Sequence, residues 1–163
     1  MPPTPGSKLP AATLLDAATG APSDLAALAA EGPVLLFVTR DDCPGTAVAG
    51  PLLPRFGAVP GLSLVAVCQD DAERTRRFAE RCGWGGAVRA VVDDAPYSAS
   101  DALGVRVTPT WILVEQGGRI AAVGEGWARA DANRLAAEAA ALVGAAPPVV
   151  SPEGGAEPAW RPG

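Results

Sequence analysis

Two short, largely apolar runs organise the chain. Val34 to Thr39 (VLLFVT) follows Gly32-Pro33 and stops at Arg40-Asp41-Asp42. Leu62 to Cys68 (LSLVAVC) follows Pro60-Gly61. Runs of this length without polar alternation predict strands covered on both faces. Between them, Cys43-Pro44-Gly45-Thr46 opens a helix. Asp70 and Asp71 offer N-cap oxygens to a second helix running to about Cys82, ended by Gly83. Its face is Ala72, Thr75, Phe78, Ala79 and Cys82, at helical spacing. A third strand is predicted over Val88 to Val92 and a short helix over Ser98 to Leu103. Thr110 to Glu115 and Arg119 to Val123 are strands joined through Gln116-Gly117-Gly118, a hairpin signal. A last helix runs from about Arg129 to Val143, with Leu135, Ala139, Leu142 and Val143 turned inward. The order β-α-β-α-β-α-β-β-α predicts an α/β domain with a central mixed sheet and helices on both faces.

The two ends follow no such pattern. Residues 1–10 hold four prolines, and residues 145–163 hold five prolines and three glycines. They read as an irregular N-terminal arm and a disordered C-terminal tail around a domain spanning 11–144. A total of 163 residues, 48% hydrophobic, suits one such domain. No apolar run reaches the roughly 18 residues of a membrane span, so no membrane partner is expected. No basic and apolar leader opens the sequence, so a cytoplasmic location is expected. The net charge is −5, Lys8 is the only lysine and the arginines are scattered, which speaks against nucleic acid as a partner.

The absence of histidine removes Ser-His-Asp and Cys-His catalysis and every imidazole-bound zinc. No grouping of carboxylates and thiols suggests a metal, and no cofactor is expected. The three cysteines, Cys43, Cys68 and Cys82, are too few and too odd in number for a secreted disulfide framework. Cys43 stands out, because a thiol at a helix start lies near unpaired N–H groups and the positive end of the dipole. Pro44 fits the first helical turn. Asp41 and Asp42 oppose a thiolate there by like-charge repulsion. Thr108-Pro109-Thr110 enters a strand directly, as an edge device or as a cis peptide in a tight turn. Cys82 shares the apolar helical face with Phe78 and Ala79 and reads as core. Trp84, Trp111 and Trp127 read as packing residues.

Taken together, the CPGT segment, the stretch VAVCQDDAERTRRFAERCGW and the stretch VVDDAPYSASDALGVRVTPTWILVEQGGRIAAVGEGW resemble the thioredoxin-like superfamily. The likeness is to its redoxin branch of disulfide reductases and the alkyl-hydroperoxide-reductase/thiol-specific-antioxidant group, and it covers roughly residues 5–144. The resemblance implies a thioredoxin-like fold, with Cys43 as the attacking thiol and Pro109 as the cis-proline. Pro44, Thr108 and Pro109 would shape a groove for an extended substrate chain. Thr46 stands where the family's second cysteine would be; it can donate a hydrogen bond to a thiolate but cannot close a disulfide. In the fold's strand order Cys68 ends the strand beside Val34–Thr39, which makes it a candidate resolving thiol; the other is an external thiol, as in monothiol glutaredoxins. The peroxiredoxin pattern P-x-x-x-T-x-x-C is absent, with Leu36 and Arg40 at its proline and threonine positions. The expected function is a thiol-dependent oxidoreductase acting on disulfides or oxidised sulfur. Its partners would be a disulfide-bearing protein or a small thiol such as glutathione. A thiol peroxidase and an inactive binding module on the same fold are the alternatives.

Overall fold

The computed structural model describes residues 2–163. The strands are β1 (Thr13–Asp16), β2 (Pro22–Asp24), β3 (Val34–Thr39), β4 (Ser63–Cys68), β5 (Arg89–Val92), β6 (Thr110–Val114), β7 (Ile120–Glu125), β8 (Trp127–Ala128) and β9 (Trp160–Arg161). The α-helices are α1 (Pro44–Ala49), α2 (Ala72–Arg81), α3 (Ser98–Leu103) and α4 (Arg129–Leu142). A 3-10 helix, Gly50–Ala58, continues α1. Seven strands form one sheet in the order β2-β1-β5-β4-β3-β6-β7, and β8 pairs with β9 apart from it. The central strands β3, β4 and β5 are parallel, while β1 and β6 flank them antiparallel. This is the mixed α/β sheet that the pattern predicts.

Strand alternation gives the sheet two packed faces. Leu35, Phe37, Leu64, Ala66, Cys68, Trp111 and Leu113 face Phe56, Phe78, Trp84, Leu135 and Ala136. Val34, Leu36, Val38, Val65, Val67, Ile112 and Val114 face Leu14, Leu25, Ala99 and Leu103. The steps β3→β4→β5 run in one direction, so connections of one hand bring α1 and α2 to the same face. The chain then recrosses to β6, and α3 covers the other face.

The core elements agree with the sequence pattern to within a residue or two at their ends. The differences lie in the segments between and beyond them and in which face of α4 turns inward. The β1–β2 hairpin leaves no readable pattern because its strands are four and three residues long; the Asp16 carboxylate holds its turn by accepting the N–H groups of Ala18 and Thr19. Leu142, expected to face inward, is 40% exposed, and Ala132, Leu135, Ala136, Ala139 and Ala140 form the inner face of α4. The N-terminal arm is irregular but attached. Gly6 donates to Ile120, Ile120 to Ser7 and Leu9 to Gly118, and the Leu9 side chain is buried.

The C-terminal segment calls for the larger correction. Residues 145–163, expected to be disordered, lie against the domain. Val150 and Ser151 are fully buried. Asn133 on α4 accepts both of their N–H groups, at 2.9 and 3.1 Å, and donates to the Ser151 carbonyl at 2.8 Å. Arg129 donates to the Ser151 hydroxyl and the Glu157 carbonyl, and the Trp127 indole donates to the Pro158 carbonyl. Arg55 pairs with Glu157 at 3.5 Å. A segment with only the two-residue β9 as regular structure is ordered here because side chains of α4 and β8 satisfy its backbone groups. No helix among the described residues is long and apolar enough to cross a membrane.

Candidate active site

Cys43 lies just past the end of β3, at the N-cap of α1. It has extended backbone angles, and Pro44 occupies the first helical position. The sulfur does not cap the helix; it donates to the Thr108 carbonyl at 2.9 Å. That carbonyl belongs to the cis Thr108–Pro109 bond which enters β6. The hydrogen bond needs the proton on sulfur, so this arrangement is the thiol form. Cys43 is only 7% exposed.

The loop between β3 and Cys43 is clamped from the neighbouring strand. The Asp41 N–H donates to Asp70 at 3.0 Å, just beyond β4, and Gln69 N–H donates to the Thr39 carbonyl at 2.9 Å. Arg74 on α2 holds the Asp41 carboxylate through two donors and lies 3.7 Å from Asp70. Asp42 is paired with Arg40 at 3.1 Å. The two carboxylates before Cys43, read in the sequence as repulsive to a thiolate, therefore each carry an arginine partner. Asp70 is buried, and burial pushes its pKa up from the ordinary carboxylate value against the opposing Asp41 N–H bond and Arg74 charge. Asp71 caps α2 by accepting the Arg74 N–H at 2.8 Å, the role read for this pair of aspartates.

Thr46 departs from its expected part. Its hydroxyl, buried completely, pairs with the Thr39 hydroxyl at 2.6 Å and makes no hydrogen bond to the sulfur. The position of the missing cysteine thus ties α1 to the end of β3.

Cys68, read as one of two candidate resolving thiols, closes β4. It stands opposite Thr39 in the β3–β4 register. Strand β3 lies between it and the β6 side, to which the Cys43 sulfur turns. Cys68 is fully buried in the core, and burial, reinforced by Asp70, pushes its pKa far up. Cys82 lies at the end of α2, packed below Gly50 and Phe78, with its pKa pushed up to about 11 by burial. All three cysteines are free thiols.

The cis-proline loop is tied to the core from behind. Gly126 N–H donates to the Pro109 carbonyl at 2.7 Å, and the Trp111 indole donates to the Gly126 carbonyl at 3.0 Å. Trp111 packs on Phe37 with ring centroids 4.5 Å apart. Thr110 fixes the turn by donating to the Val107 carbonyl at 2.6 Å. The Pro109 ring comes close to α1, since a Cβ on Gly45 would lie 3.0 Å from its Cδ. A glycine in CPGT is needed for this approach. An open depression of about 570 Å3 among Ser23, Asp24, Glu31, Gly61 and Arg89 lies at the other end of the sheet and contains no thiol.

Residues 160–163 also reach the site, which the sequence did not indicate. Trp127 and Ala128 of β8 pair antiparallel with Arg161 and Trp160. The Pro162 carbonyl oxygen would lie 2.9 Å from a Cβ on Gly45. Gly163 lies directly on Thr108 and Val107, where a Cβ would overlap the Thr108 carbonyl. The one signal in the sequence was Trp160, an aromatic residue inside a Pro/Gly-rich stretch.

This geometry defines a class: a mixed sheet with a thiol at the first helix start, facing a cis-proline loop. The chain has the thioredoxin-like fold. Solved structures agree. A Chlorobium tepidum protein classed provisionally as a thiol:disulfide interchange protein, DsbE, superposes with a TM-score of 0.74 at 21% identity, over 86% of this chain and 99% of that one. A secreted Mycobacterium tuberculosis disulfide oxidoreductase homologous to DsbE of E. coli has a TM-score of 0.65 at 18% identity, over 80% and 95%. The peroxidoxin BcpB of the same organism has a TM-score of 0.66 at 22% identity, over 86% and 96%. At these identities the likeness is one of fold. No family model matches the chain, and no curated protein sequence does.

Proposed function

We propose that the chain is a thiol-dependent oxidoreductase with a single reacting cysteine, Cys43. The observation that carries this reading is the meeting of the Cys43 sulfur with the Thr108 carbonyl beside the cis bond to Pro109. After loss of its proton to solvent, the Cys43 sulfur attacks one sulfur of a disulfide. The S–S bond breaks, a mixed disulfide forms on Cys43, and the other sulfur leaves as a thiolate. Thr108 and Pro109, with Pro44 across the groove, position an extended chain beside the thiol. With Cys68 buried behind β3 and Thr46 tied to Thr39, a second thiol from outside the chain attacks the mixed disulfide. This external thiol, of the glutathione class or on a partner protein, frees Cys43 and leaves as part of a new disulfide. A reducing, cytoplasmic compartment suits three unpaired thiols.

The test is glutathione-dependent reduction of a small or protein disulfide beside peroxide consumption, for wild type and Cys43→Ser. Disulfide turnover that requires Cys43, with a Cys43–glutathione adduct by mass, is the expected result. Cys43-dependent loss of peroxide alone would indicate the thiol peroxidase. No Cys43-dependent rate in either assay would leave the binding module. The absence of a second thiol at Thr46 favours the binding module, and Leu36 and Arg40 at the peroxiredoxin proline and threonine positions disfavour the peroxidase.

A further inference from the structure

We infer that residues Trp160–Gly163 are a built-in strap which occupies the groove over Cys43 and must swing away before a substrate reaches the thiol. The inference rests on the reading of Cys43 as the reacting group, and it adds how that group is gated.

The strap covers the elements an extended substrate would touch. The Pro162 carbonyl lies over Gly45, and the Arg161 carbonyl lies 3.2 Å from where a Gly126 Cβ would be. Gly163 lies on Thr108, whose carbonyl accepts the Cys43 thiol hydrogen bond. The backbone of β9 lies as an added strand along β8, the mode by which extended peptides join an exposed edge. A side chain at position 163 would strike Val107 and Thr108, so the groove takes only a small residue at that point.

Its attachment is uneven along its length. The anchor at Val150 and Ser151 is buried and held by Asn133 from three directions. The carbonyls of Glu157, Pro158 and Ala159 are held by Arg129, Trp127 and the Arg129 N–H. Beyond them the strap has two residue pairs with β8, and the Trp160 side chain is 65% exposed. Two residue pairs whose β9 members are both exposed are the least protected part of such a segment. Residues 160–163 can therefore open while residues 150–159 remain docked, without disturbing either face of the sheet.

The test reads thiol accessibility rather than turnover. Iodoacetamide labelling of Cys43 is followed by peptide mass for the full chain and for a chain ending at Ala159, with buried Cys68 and Cys82 as internal controls. An open state populated at about 0.1–10% predicts labelling about 10- to 1,000-fold faster without the strap. A second variant, Ala128→Cys/Trp160→Cys, joins the paired residues by a disulfide, because cross-strand partners lie within its Cα range. In its oxidised form Cys43 labelling should slow at least about ten-fold relative to wild type. Equal Cys43 rates in wild type and the locked chain, or in wild type and a truncated chain with unchanged circular dichroism, would overturn the strap. Failure of the redox reading would look different: Cys43 labelling would still respond to both changes while disulfide turnover stayed absent from every form.

Discussion

The indole of Trp111 links the aromatic core to the cis-proline loop, and replacing it by phenylalanine tests that link. Trp111 is almost wholly buried against Phe37 and Phe56, with centroids at 4.5 and 5.5 Å. Trp111→Phe keeps an aromatic ring but removes the donor 3.0 Å from the Gly126 carbonyl. Leaving a buried carbonyl without its donor costs about 1–3 kcal/mol. The smaller ring leaves about 30–40 Å3 unfilled, which at about 24 cal/mol per Å3 adds about 1 kcal/mol. The expected loss is about 2–4 kcal/mol, read as a shift of the urea midpoint at unchanged slope. In a thermal scan it is a fall in Tm of about 5–15 °C for a chain of this size. The link to the site makes a second expectation. Gly126 N–H holds the Pro109 carbonyl at 2.7 Å, so its amide exchange should quicken more than that of the β3 amides. A loss below about 0.5 kcal/mol, the range of an inconsequential surface change, would refute the reasoning. So would a full loss of stability with the Gly126 amide no faster than the rest.

Thr46→Cys places a thiol three residues from Cys43, within disulfide reach across one helical turn. Under mild oxidant the variant should form a disulfide between Cys43 and the introduced thiol, seen by mass. It should also lose about 1–3 kcal/mol in the reduced state, because Thr39 no longer has its hydroxyl partner at 2.6 Å. Asp70→Asn tests the clamp through pH. Burial raises the Asp70 pKa, so the folded state binds its proton more tightly than the unfolded state. That contribution to stability is full below the ordinary carboxylate value and is lost as pH rises through the raised one. Urea midpoints of wild type relative to Asp70→Asn should therefore fall across that acidic window; a relative rise would contradict the assignment. Asn133→Ala removes three hydrogen bonds to Val150 and Ser151 and should cost about 1–3 kcal/mol. Limited proteolysis should then cut within residues 145–163 before the domain itself, and an uncut tail would count against Asn133 as its anchor.

The core of the fold was legible because its signals are local. VLLFVT and LSLVAVC are buried on both faces and lack any competing period, and the glycine pair between β6 and β7 marks the only tight hairpin of that region. A cap among Asp70 and Asp71 was readable because a short side chain before an apolar-periodic run favours that use; the structure gives it to Asp71 and turns Asp70 to the Asp41 N–H. Cys43 and Pro109 were legible as a pair only through their resemblance to a known arrangement, since 65 residues separate the sulfur from Thr108. The β1–β2 hairpin escaped because strands of four and three residues carry too few positions for a period.

Sequence alone determined which segments become strands and helices, that histidine chemistry is absent, and that one thiol stands at the start of the first helix. Those properties depend on neighbours along the chain: side-chain spacing, turn residues and caps. Tertiary structure decided the destinations of polar groups whose partners are remote. It gave the Thr46 hydroxyl to Thr39, enclosed Cys68 behind β3, and matched Asp41 with Arg74. It also drew a proline- and glycine-rich tail across the mouth of the site. Composition describes how stiff or polar such a tail is. Whether it is ordered depends on Asn133, Arg129 and Trp127, which supply its hydrogen bonds from elements the local sequence of the tail cannot reveal.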